Sequence, residues 1–183
     1  MSKRVIAYSY GCLMVPVSIA LASSISCYAE SIPEALRVKT EDAPNGIPTE
    51  KHITVKYGIL TEDVEEVASV VAGTLPIVVK LGRAGVFHNE DAAVIRLSVE
   101  SPDLQRLNQK VCKRLKTVET HPGYKPHLTI AYMVQKKDDP YYYRAFFSDE
   151  FEGREFFADR VVFSAAGGDR YSILLNGEVS LLN

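Results

Sequence analysis

The sequence lacks the excess of basic residues that proteins gripping a long nucleic acid duplex normally carry. Lysine and arginine together number 21, and aspartate and glutamate number 23, so the formal net charge is −2. Neutralising many phosphates of a duplex requires a strongly basic surface. The composition therefore argues against a long duplex as a partner, although a local basic groove stays possible.

Cysteine is also scarce, and its three copies, Cys12, Cys27 and Cys112, lie far apart. An odd number of cysteines without close spacing argues against a disulfide framework and against a CxxC motif. We expect three buried thiols in a reducing compartment. The four histidines form no HxxE or HxxxH motif and no cluster with acidic residues. The sequence therefore predicts no metal site and no cofactor.

No apolar run is long enough to cross a membrane, so no membrane association is predicted. The N-terminus allows two interpretations. Lys3 and Arg4 before a largely apolar stretch, with Cys27-Tyr28-Ala29 as a weak cleavage site, resemble a signal peptide. Alternatively, the β-branched and aromatic stretch from Val5 to Val17 forms a strand, and an amphipathic helix follows it. We favour the folded interpretation, because a secretory segment has no reason to be amphipathic.

The rest of the 183 residues predicts a single domain of short strands and helices. Strands are predicted at His52 to Ile59, Pro76 to Phe87, Asp91 to Glu100 and His127 to Val134, with helices after Thr61 and from Pro102. A last hairpin is predicted from Phe156 to Ser164 and from Tyr171 to Leu175. This order indicates an α+β fold with mostly antiparallel pairing.

An internal repeat is the most informative feature. Residues 52–57, His-Ile-Thr-Val-Lys-Tyr, match residues 127–132, His-Leu-Thr-Ile-Ala-Tyr, in residue class at every position but the fifth. Side chains alternate along a strand, so the histidine and threonine of each copy share one face. The remaining apolar residues of each copy, including Tyr57 and Tyr132, are then expected to enter a core.

Two imidazoles and two hydroxyls on one face suit the cleavage of a phosphodiester. Imidazole, with an unperturbed pKa of about 6.5, can act as base or acid near neutral pH. The hydroxyls can bind the non-bridging phosphate oxygens. We therefore predict catalytic roles for His52, Thr54, His127 and Thr129. A lone His-x-Thr in a strand is usually only a strand, but a second copy with the same flanking pattern favours catalysis.

The paired motifs resemble those of the 2H phosphoesterase superfamily, which includes RNA 2′,3′-cyclic phosphodiesterases and 2′–5′ RNA ligase-like proteins. Residues 51–60, 87–107 and 124–132 are most similar to a phage group that includes the anti-CBASS phosphodiesterases, which degrade cyclic di- and trinucleotide signals of bacterial immunity. The resemblance implies a LigT-like fold across residues 1–183, with two lobes related by a pseudo-twofold, antiparallel sheets lining a central cleft, and helices outside.

For function, the resemblance implies a metal-independent enzyme that cleaves 3′–5′ bonds of cyclic oligonucleotides in the cytoplasm of an infected bacterium. Two alternatives stay open. One is an RNA 2′,3′-cyclic phosphodiesterase or ligase-like enzyme acting on short RNA ends. The other is a nucleotide-binding or virion-associated module that keeps the fold without the activity. No oligomeric state is predicted.

Further residues are candidates for binding substrate. Lys56 lies an even number of residues after His52, so in a regular strand it is expected to face the cleft and hold a phosphate. The alternative is a solvated strand residue. Lys125, before Pro126, is expected at the cleft rim. Residues 135–153 are predicted to form a mobile lid, in which Tyr141 and Tyr143 stack on substrate bases. The alternative is a further strand that buries half of its aromatic residues.

Overall fold

The computed structural model describes residues 9–120, 123–136, 138–139 and 141–182. Within these residues the strands are β1 (Gly11–Pro16), β2 (His52–Ile59), β3 (Ile77–His88), β4 (Ala93–Glu100), β5 (His127–Met133), β6 (Glu155–Ala158), β7 (Arg160–Ser164), β8 (Arg170–Leu174) and β9 (Val179–Leu181). The helices are α1 (Ile19–Glu30), α2 (Val64–Val71) and α3 (Pro102–Arg114), and short 3₁₀ helices cover Glu34–Leu36 and Tyr142–Phe146.

The nine strands form one curled antiparallel sheet in the order β6-β3-β4-β5-β2-β1-β7-β8-β9. Its two halves, β6-β3-β4-β5 and β2-β1-β7-β8-β9, meet where β5 lies beside β2. The helices pack on one face of the sheet, with α1 on β5, α3 on β2 and β3, and α2 on α3 and β8. We call this the core face and the opposite one the cleft face. The predicted α+β fold, with an antiparallel sheet and helices outside, is confirmed.

Local chemistry explains where α3 begins. Ser101 caps the helix by accepting a hydrogen bond from the backbone nitrogen of Leu104 at 3.2 Å, and Pro102 occupies the first turn, where no N–H is needed. Leu104, Leu107 and Val111 recur at helical spacing and are buried against the core face. The helix that covers the first motif strand is therefore fixed by its own sequence.

β2 and β5 contact each other only briefly before they separate. Among the described residues a single pair, Ile53 with Leu128, joins them. Beyond it the edge of β5 is completed by the segment before β2, since Tyr132 donates its backbone N–H to the carbonyl of Gly46 at 2.8 Å. The edge of β2 is completed by the segment before β5, through the bridge between Ile59 and Thr117. Each motif strand is thus completed by the segment that leads to the other motif.

Three expectations about the fold need correction or limits. The predicted strand from Phe156 to Ser164 is two strands, because β6 pairs with β3 and β7 pairs with β1 on opposite halves of the sheet. Cys27 and Cys112 are exposed rather than buried, and Cys12 is half-buried. The predicted N-terminal strand and helix are present from Gly11 onward, while residues 1–8 lie outside the described part of the chain. No helix of the described residues is long and apolar enough to cross a membrane.

Candidate active site

The two repeated motifs lie side by side at the centre of the sheet. Pairing of Ile53 with Leu128 brings the first residues of β2 and β5 together, and both of these side chains are fully buried on the core face. The residues on either side of them point to the cleft face. All four predicted catalytic side chains, those of His52, Thr54, His127 and Thr129, are half-exposed there.

A β-bulge follows the threonine of the first motif. Met14 of β1 pairs with Thr54, but the next residue of β1, Leu13, pairs with Lys56, so Val55 is an extra residue in β2. A bulge places two residues opposite one and reverses the alternation of faces beyond it. The alternation that places His52 and Thr54 on one face of the sheet therefore stops at Val55.

The second motif carries a bulge at the equivalent position. Arg96 of β4 pairs with Thr129, but Ile95 pairs with Ala131, so Ile130 is the extra residue in β5. Both copies of the repeat thus leave the regular pleat after the threonine. The similarity of residues 52–57 to residues 127–132 extends to backbone irregularity as well as to side chains.

The bulge corrects the expectation for Lys56. Lys56 shares the face of Leu13, which is fully buried in the core, and its own side chain is only 7% exposed. Its Nζ lies 3.7 Å from Oε1 of Glu119, which balances its charge away from the cleft. Lys56 is therefore neither the phosphate ligand nor the solvated strand residue that alternation predicted.

The same bulges bring the two repeat tyrosines to the cleft face. Tyr57 pairs with Cys12 and Tyr132 pairs with Val94, which lie on the same side of the sheet as the motif threonines. The sequence predicts both tyrosines in the core, and this prediction is wrong, because both side chains are only half-buried. The cleft therefore has one tyrosine beyond each threonine, and regular strand alternation gives no signal for them.

Side chains from other elements satisfy the carbonyl groups at the first bulge. The Tyr124 hydroxyl donates to the backbone oxygen of Thr54 at 2.9 Å, and Nδ2 of Asn108 donates to the backbone oxygen of Val55 at 2.7 Å. Bulges interrupt the ladder of backbone hydrogen bonds, so such partners are needed. The segment before the second motif therefore holds the first motif in place.

Two contacts orient the imidazole of His127. Its Nδ1 lies 3.0 Å from the backbone oxygen of Lys125, two residues earlier, and its ring meets Phe87 edge-on with the ring centroids 5.1 Å apart. The carbonyl can only accept, so we assign the proton to Nδ1, which leaves Nε2 as the ring nitrogen that exchanges protons.

His52 has a different electrostatic environment. Burial lowers its pKa, while the carboxylate of Glu50, the backbone carbonyl of Glu50 and, to a lesser extent, Asp42 raise it. Glu50 in turn binds Arg170 through two contacts of 2.6 Å each, and this guanidinium lowers the pKa of both residues. No described group forms a hydrogen bond of normal geometry with the buried Nδ1 of His52. The net effect favours a neutral His52.

Cys12, on the strand beside the first motif, is not a reactive thiol. Burial raises the pKa of Cys12 to about 12, although a side-chain hydrogen bond with Thr54 and the charge of Arg170 oppose the shift. A thiol with so high a pKa carries almost no thiolate at neutral pH, so it is a poor nucleophile. In the part of the chain that the structure describes, no three His, Cys, Asp or Glu side chains group to hold a metal ion.

The outer substrate-binding candidates have different outcomes. Lys125 is exposed and lies two residues before His127, so its side chain stays a candidate for the rim. Tyr141 is 64% exposed and has the guanidinium of Arg144 over its ring at 4.5 Å. Tyr143 is only 1% exposed, and its hydroxyl donates to the carbonyl of Val134 at 3.0 Å. The expectation that Tyr143 stacks on a base is wrong, because the ring belongs to the core.

Much of the segment predicted as a lid packs against the core face. Phe151 is fully buried and contacts Tyr28 of α1, whose hydroxyl donates to the carbonyl of Phe146. Tyr143 meets His88 at the end of β3. The alternative, in which half of the aromatic residues are core, fits these contacts, although they form a 3₁₀ helix rather than a strand. Lys137 and Pro140 lie outside the described residues.

Comparison with known proteins agrees with this fold. The chain matches the TT0787 structure of Thermus thermophilus at 14% identity with a TM-score of 0.58, covering 95% of each chain. It matches Escherichia coli LigT complexed with 3′-AMP at 14% identity and a TM-score of 0.54, over 97% of this chain and 96% of that one. It matches Kluyveromyces marxianus Usb1 with uridine monophosphate at 9% identity and a TM-score of 0.55, over 90% and 97%.

These identities are low, so the structural matches show the fold alone. A comparison with curated protein sequences gives no match. The family model described as the 2′-5′ RNA ligase superfamily matches residues 31–170, which include both repeated motifs and most of the sheet. The chain belongs to the 2′–5′ RNA ligase superfamily.

Proposed function

We propose that this chain is a metal-independent phosphodiesterase that acts on small nucleotides, with cyclic di- and trinucleotides as its substrates. The observation that carries the proposal is the placement of two His-x-Thr motifs on one face, at adjoining strand starts, with all four side chains half-exposed. Cleavage of a phosphodiester needs a base and an acid on opposite sides of one phosphorus atom, and the cleft offers one imidazole from each half of the sheet.

The proposed reaction assigns His52 as the base. Burial keeps its pKa low, so the ring is neutral at neutral pH and can take the proton from a ribose 2′-hydroxyl. The 2′-oxygen then forms a bond to phosphorus while the bond to the 5′-oxygen breaks. His127 donates a proton to the departing 5′-oxygen through Nε2. The products are a 2′,3′-cyclic phosphate and a free 5′-hydroxyl.

The threonines would bind the charge that develops on the phosphate. Thr54 and Thr129 each lie two residues after a histidine on the same face, so their hydroxyls can donate to the two non-bridging oxygens. Tyr57 and Tyr132 lie beyond them on that face. Their rings suit the nucleosides on either side of the scissile phosphate, since aromatic side chains stack on any base.

Cyclic oligonucleotides are the leading substrate because the sequence most resembles enzymes that destroy such immune signals. In that case the protein is a phage anti-CBASS enzyme that acts in the cytoplasm of the infected cell. A second candidate is the processing of short RNA ends, and the solved structures favour it, since LigT and Usb1 are described with 3′-AMP and uridine monophosphate. Both candidates use the same acid–base pair.

The test is a substrate panel with products identified by mass. Cyclic dinucleotides, cyclic trinucleotides and oligoribonucleotides ending in a 2′,3′-cyclic phosphate are each incubated with the full chain in the presence of a chelator. Turnover of cyclic oligonucleotides supports the leading proposal, and turnover of RNA ends alone supports the second. Binding without turnover on the whole panel would mean a non-catalytic nucleotide-binding module and would refute the enzyme proposal.

Variants identify the groups responsible. His52→Ala and His127→Ala are each expected to lower kcat by at least about a hundredfold, the usual scale for a general acid or base. The double variant should cost little more, because the two act together. His88→Ala is the matched control, since His88 is exposed at the end of β3 and its loss should leave kcat unchanged. Activity that needs an added divalent ion would overturn the mechanism.

A further inference from the structure

Arg96 on β4 is a side chain of the cleft face, next to Thr129, that the proposed reaction does not use. It pairs directly with Thr129 on one side and with Gly85 of β3 on the other. Residues that face each other in an antiparallel pair point to the same side of the sheet, with Cβ atoms about 4.5–5.5 Å apart. The Arg96 side chain therefore leaves the sheet on the cleft face, beside the second motif.

The glycine beside it leaves room for the guanidinium. A Cβ atom placed on Gly85 would lie 3.9 Å from Nη2 of Arg96, so the head group extends over the bare backbone of β3 rather than towards Thr129. Phe87, two residues along β3, lies on the same face and contacts His127. Because β4 lies between β3 and β5, the positive charge is displaced from Thr129 by about two strand spacings, or about 9.6 Å at about 4.8 Å for each spacing.

Arg96 has no charged partner within the described residues. It is half-buried, and no carboxylate of that part of the chain forms an ion pair with it. Partly desolvated guanidinium groups are stabilised by an anion, and phosphate suits them because it accepts two parallel hydrogen bonds. The site therefore holds a positive charge that an anionic ligand would complete.

The two halves of the sheet differ at this position. The residue that faces Thr54 as Arg96 faces Thr129 is Met14, which is apolar and mostly buried. The cation near the first motif, Arg170, is already bound by Glu50 through two contacts of 2.6 Å. Among the described residues, the His127 side of the cleft therefore offers a second phosphate the unpaired guanidinium of Arg96. On the His52 side the guanidinium of Arg170 is already neutralised by Glu50.

We propose that Arg96 binds a second phosphate group of the substrate, next to the phosphate held by the histidines, and so selects nucleotides that carry two phosphates. This inference rests on the proposed function for the position of the first phosphate. Cyclic dinucleotides have such a second phosphate, and so does an RNA end with a further internucleotide linkage. Mononucleotides with one phosphate do not.

The test compares two ligands that differ only in that group. Calorimetric titrations of the full chain use 3′-AMP and adenosine 3′,5′-bisphosphate at fixed ionic strength. Hydrogen bonds to charged groups contribute about 1.5–3 kcal/mol, so the wild type should bind the bisphosphate about ten- to a hundredfold more tightly. In Arg96→Gln the ratio of the two dissociation constants should fall to near one, with the 3′-AMP constant almost unchanged.

Two further variants separate a specific contact from other effects. Arg96→Lys keeps the positive charge but lacks the planar guanidinium, so it should retain part of the preference for the bisphosphate. It also provides a test if the glutamine variant does not fold. Arg114→Gln removes one exposed positive charge from α3 on the other side of the sheet and should leave the ratio as in the wild type. If Arg114→Gln lowers the ratio as much as Arg96→Gln does, the preference is only a net-charge effect.

The outcomes distinguish this proposal from the proposed activity. A ratio near one in the wild type, or an equal loss of both affinities in Arg96→Gln, overturns the role of Arg96 even if the substrate panel shows turnover. A high ratio that depends on Arg96 in a protein without turnover supports the second phosphate site and refutes only the enzyme.

Discussion

The hydroxyl of Tyr124 offers a sharp test of how the first motif is held. It donates a hydrogen bond of 2.9 Å to the backbone oxygen of Thr54, directly before the bulge that turns the chain away from the cleft. The ring is half-buried, and burial raises the pKa of Tyr124 well above its usual range, so the group is a neutral donor at any pH of interest. Tyr124→Phe removes this bond and changes little else.

Two magnitudes follow from that contact. A hydrogen bond of this kind contributes about 0.5–1.5 kcal/mol to stability, so we expect the free energy of unfolding to fall by about 1 kcal/mol. The Thr54 carbonyl is then free to shift, and the adjoining hydroxyl loses its alignment with the phosphate. A loss of about 1.4 kcal/mol of transition-state stabilisation would lower kcat about tenfold. KM should change less, because Tyr124 touches the protein backbone rather than the substrate.

The chain offers a matched control in Tyr143→Phe. The Tyr143 hydroxyl donates to the carbonyl of Val134 at 3.0 Å and accepts from the backbone nitrogen of Lys136 at 2.6 Å, in a ring that is 1% exposed. Two bonds are lost there, so this variant should be the less stable of the two, by about 1–3 kcal/mol relative to the wild type. Its hydroxyl bonds the chain after the end of β5 rather than a histidine or threonine of the motifs, so this variant should keep the wild-type kcat.

The assay combines urea unfolding with steady-state kinetics on the substrate that the panel identifies. Our reasoning requires the more stable variant, Tyr124→Phe, to be the less active one. Wild-type kcat in Tyr124→Phe would show that Thr54 keeps its position without the hydroxyl. An equal loss of kcat in both phenylalanine variants would mean that activity follows stability, and the positioning role would be refuted.

Two further predictions concern backbone and charge. Gly58 has φ +97°, and a Cβ there would lie 2.5 Å from the carbonyl oxygen of Val118, whereas Gly73 has φ +74° and open space around it. In urea unfolding Gly73→Ala should therefore show only backbone strain of about 1–3 kcal/mol, and Gly58→Ala should cost more; equal costs would exclude the clash. Glu50→Gln removes a carboxylate that raises the pKa of His52, so the acidic limb of kcat/KM should move to lower pH. Folding lowers the pKa of His52 below 6.5, so the protein loses stability as the pH falls from about 6.5 towards the pKa of the folded state. Glu50→Gln should lose more stability over this range than the wild type. If the acidic limb of the kcat/KM profile does not move, His52 is not the base.

The positions of both motifs could be predicted from the repeat, because alternation of apolar and polar residues holds from each histidine to the threonine. Prediction then failed at the next residue. An uninterrupted pleat predicts Lys56 in the cleft and Tyr57 in the core, and the bulge at Val55 exchanges the faces of these two residues. Neither copy of the repeat has a glycine or proline at the bulged position, so nothing local marks it.

The aromatic segment shows a second limit of pattern alone. Tyr141 and Tyr143 are two residues apart in a run of aromatic residues, and composition gives them the same role. The structure exposes one and buries the other, because the chain makes a 3₁₀ helix here and Tyr143 finds a contact with His88 from β3. Such a distinction depends on a partner far along the chain, which a local pattern does not contain.

Each half of the sheet is completed by a segment that leads to the other half, and this arrangement bears on why the two motifs act together. The segment before β5 completes the edge of β2 and also supplies Tyr124, while the segment before β2 completes the edge of β5 through Gly46. A movement that separated the lobes would therefore break hydrogen bonds at both motifs at once. Acid–base catalysis by two imidazoles requires their separation to be fixed to within a fraction of an ångström. Because each lobe completes the strand of the other, neither copy of the repeat is expected to hold its histidine in place alone.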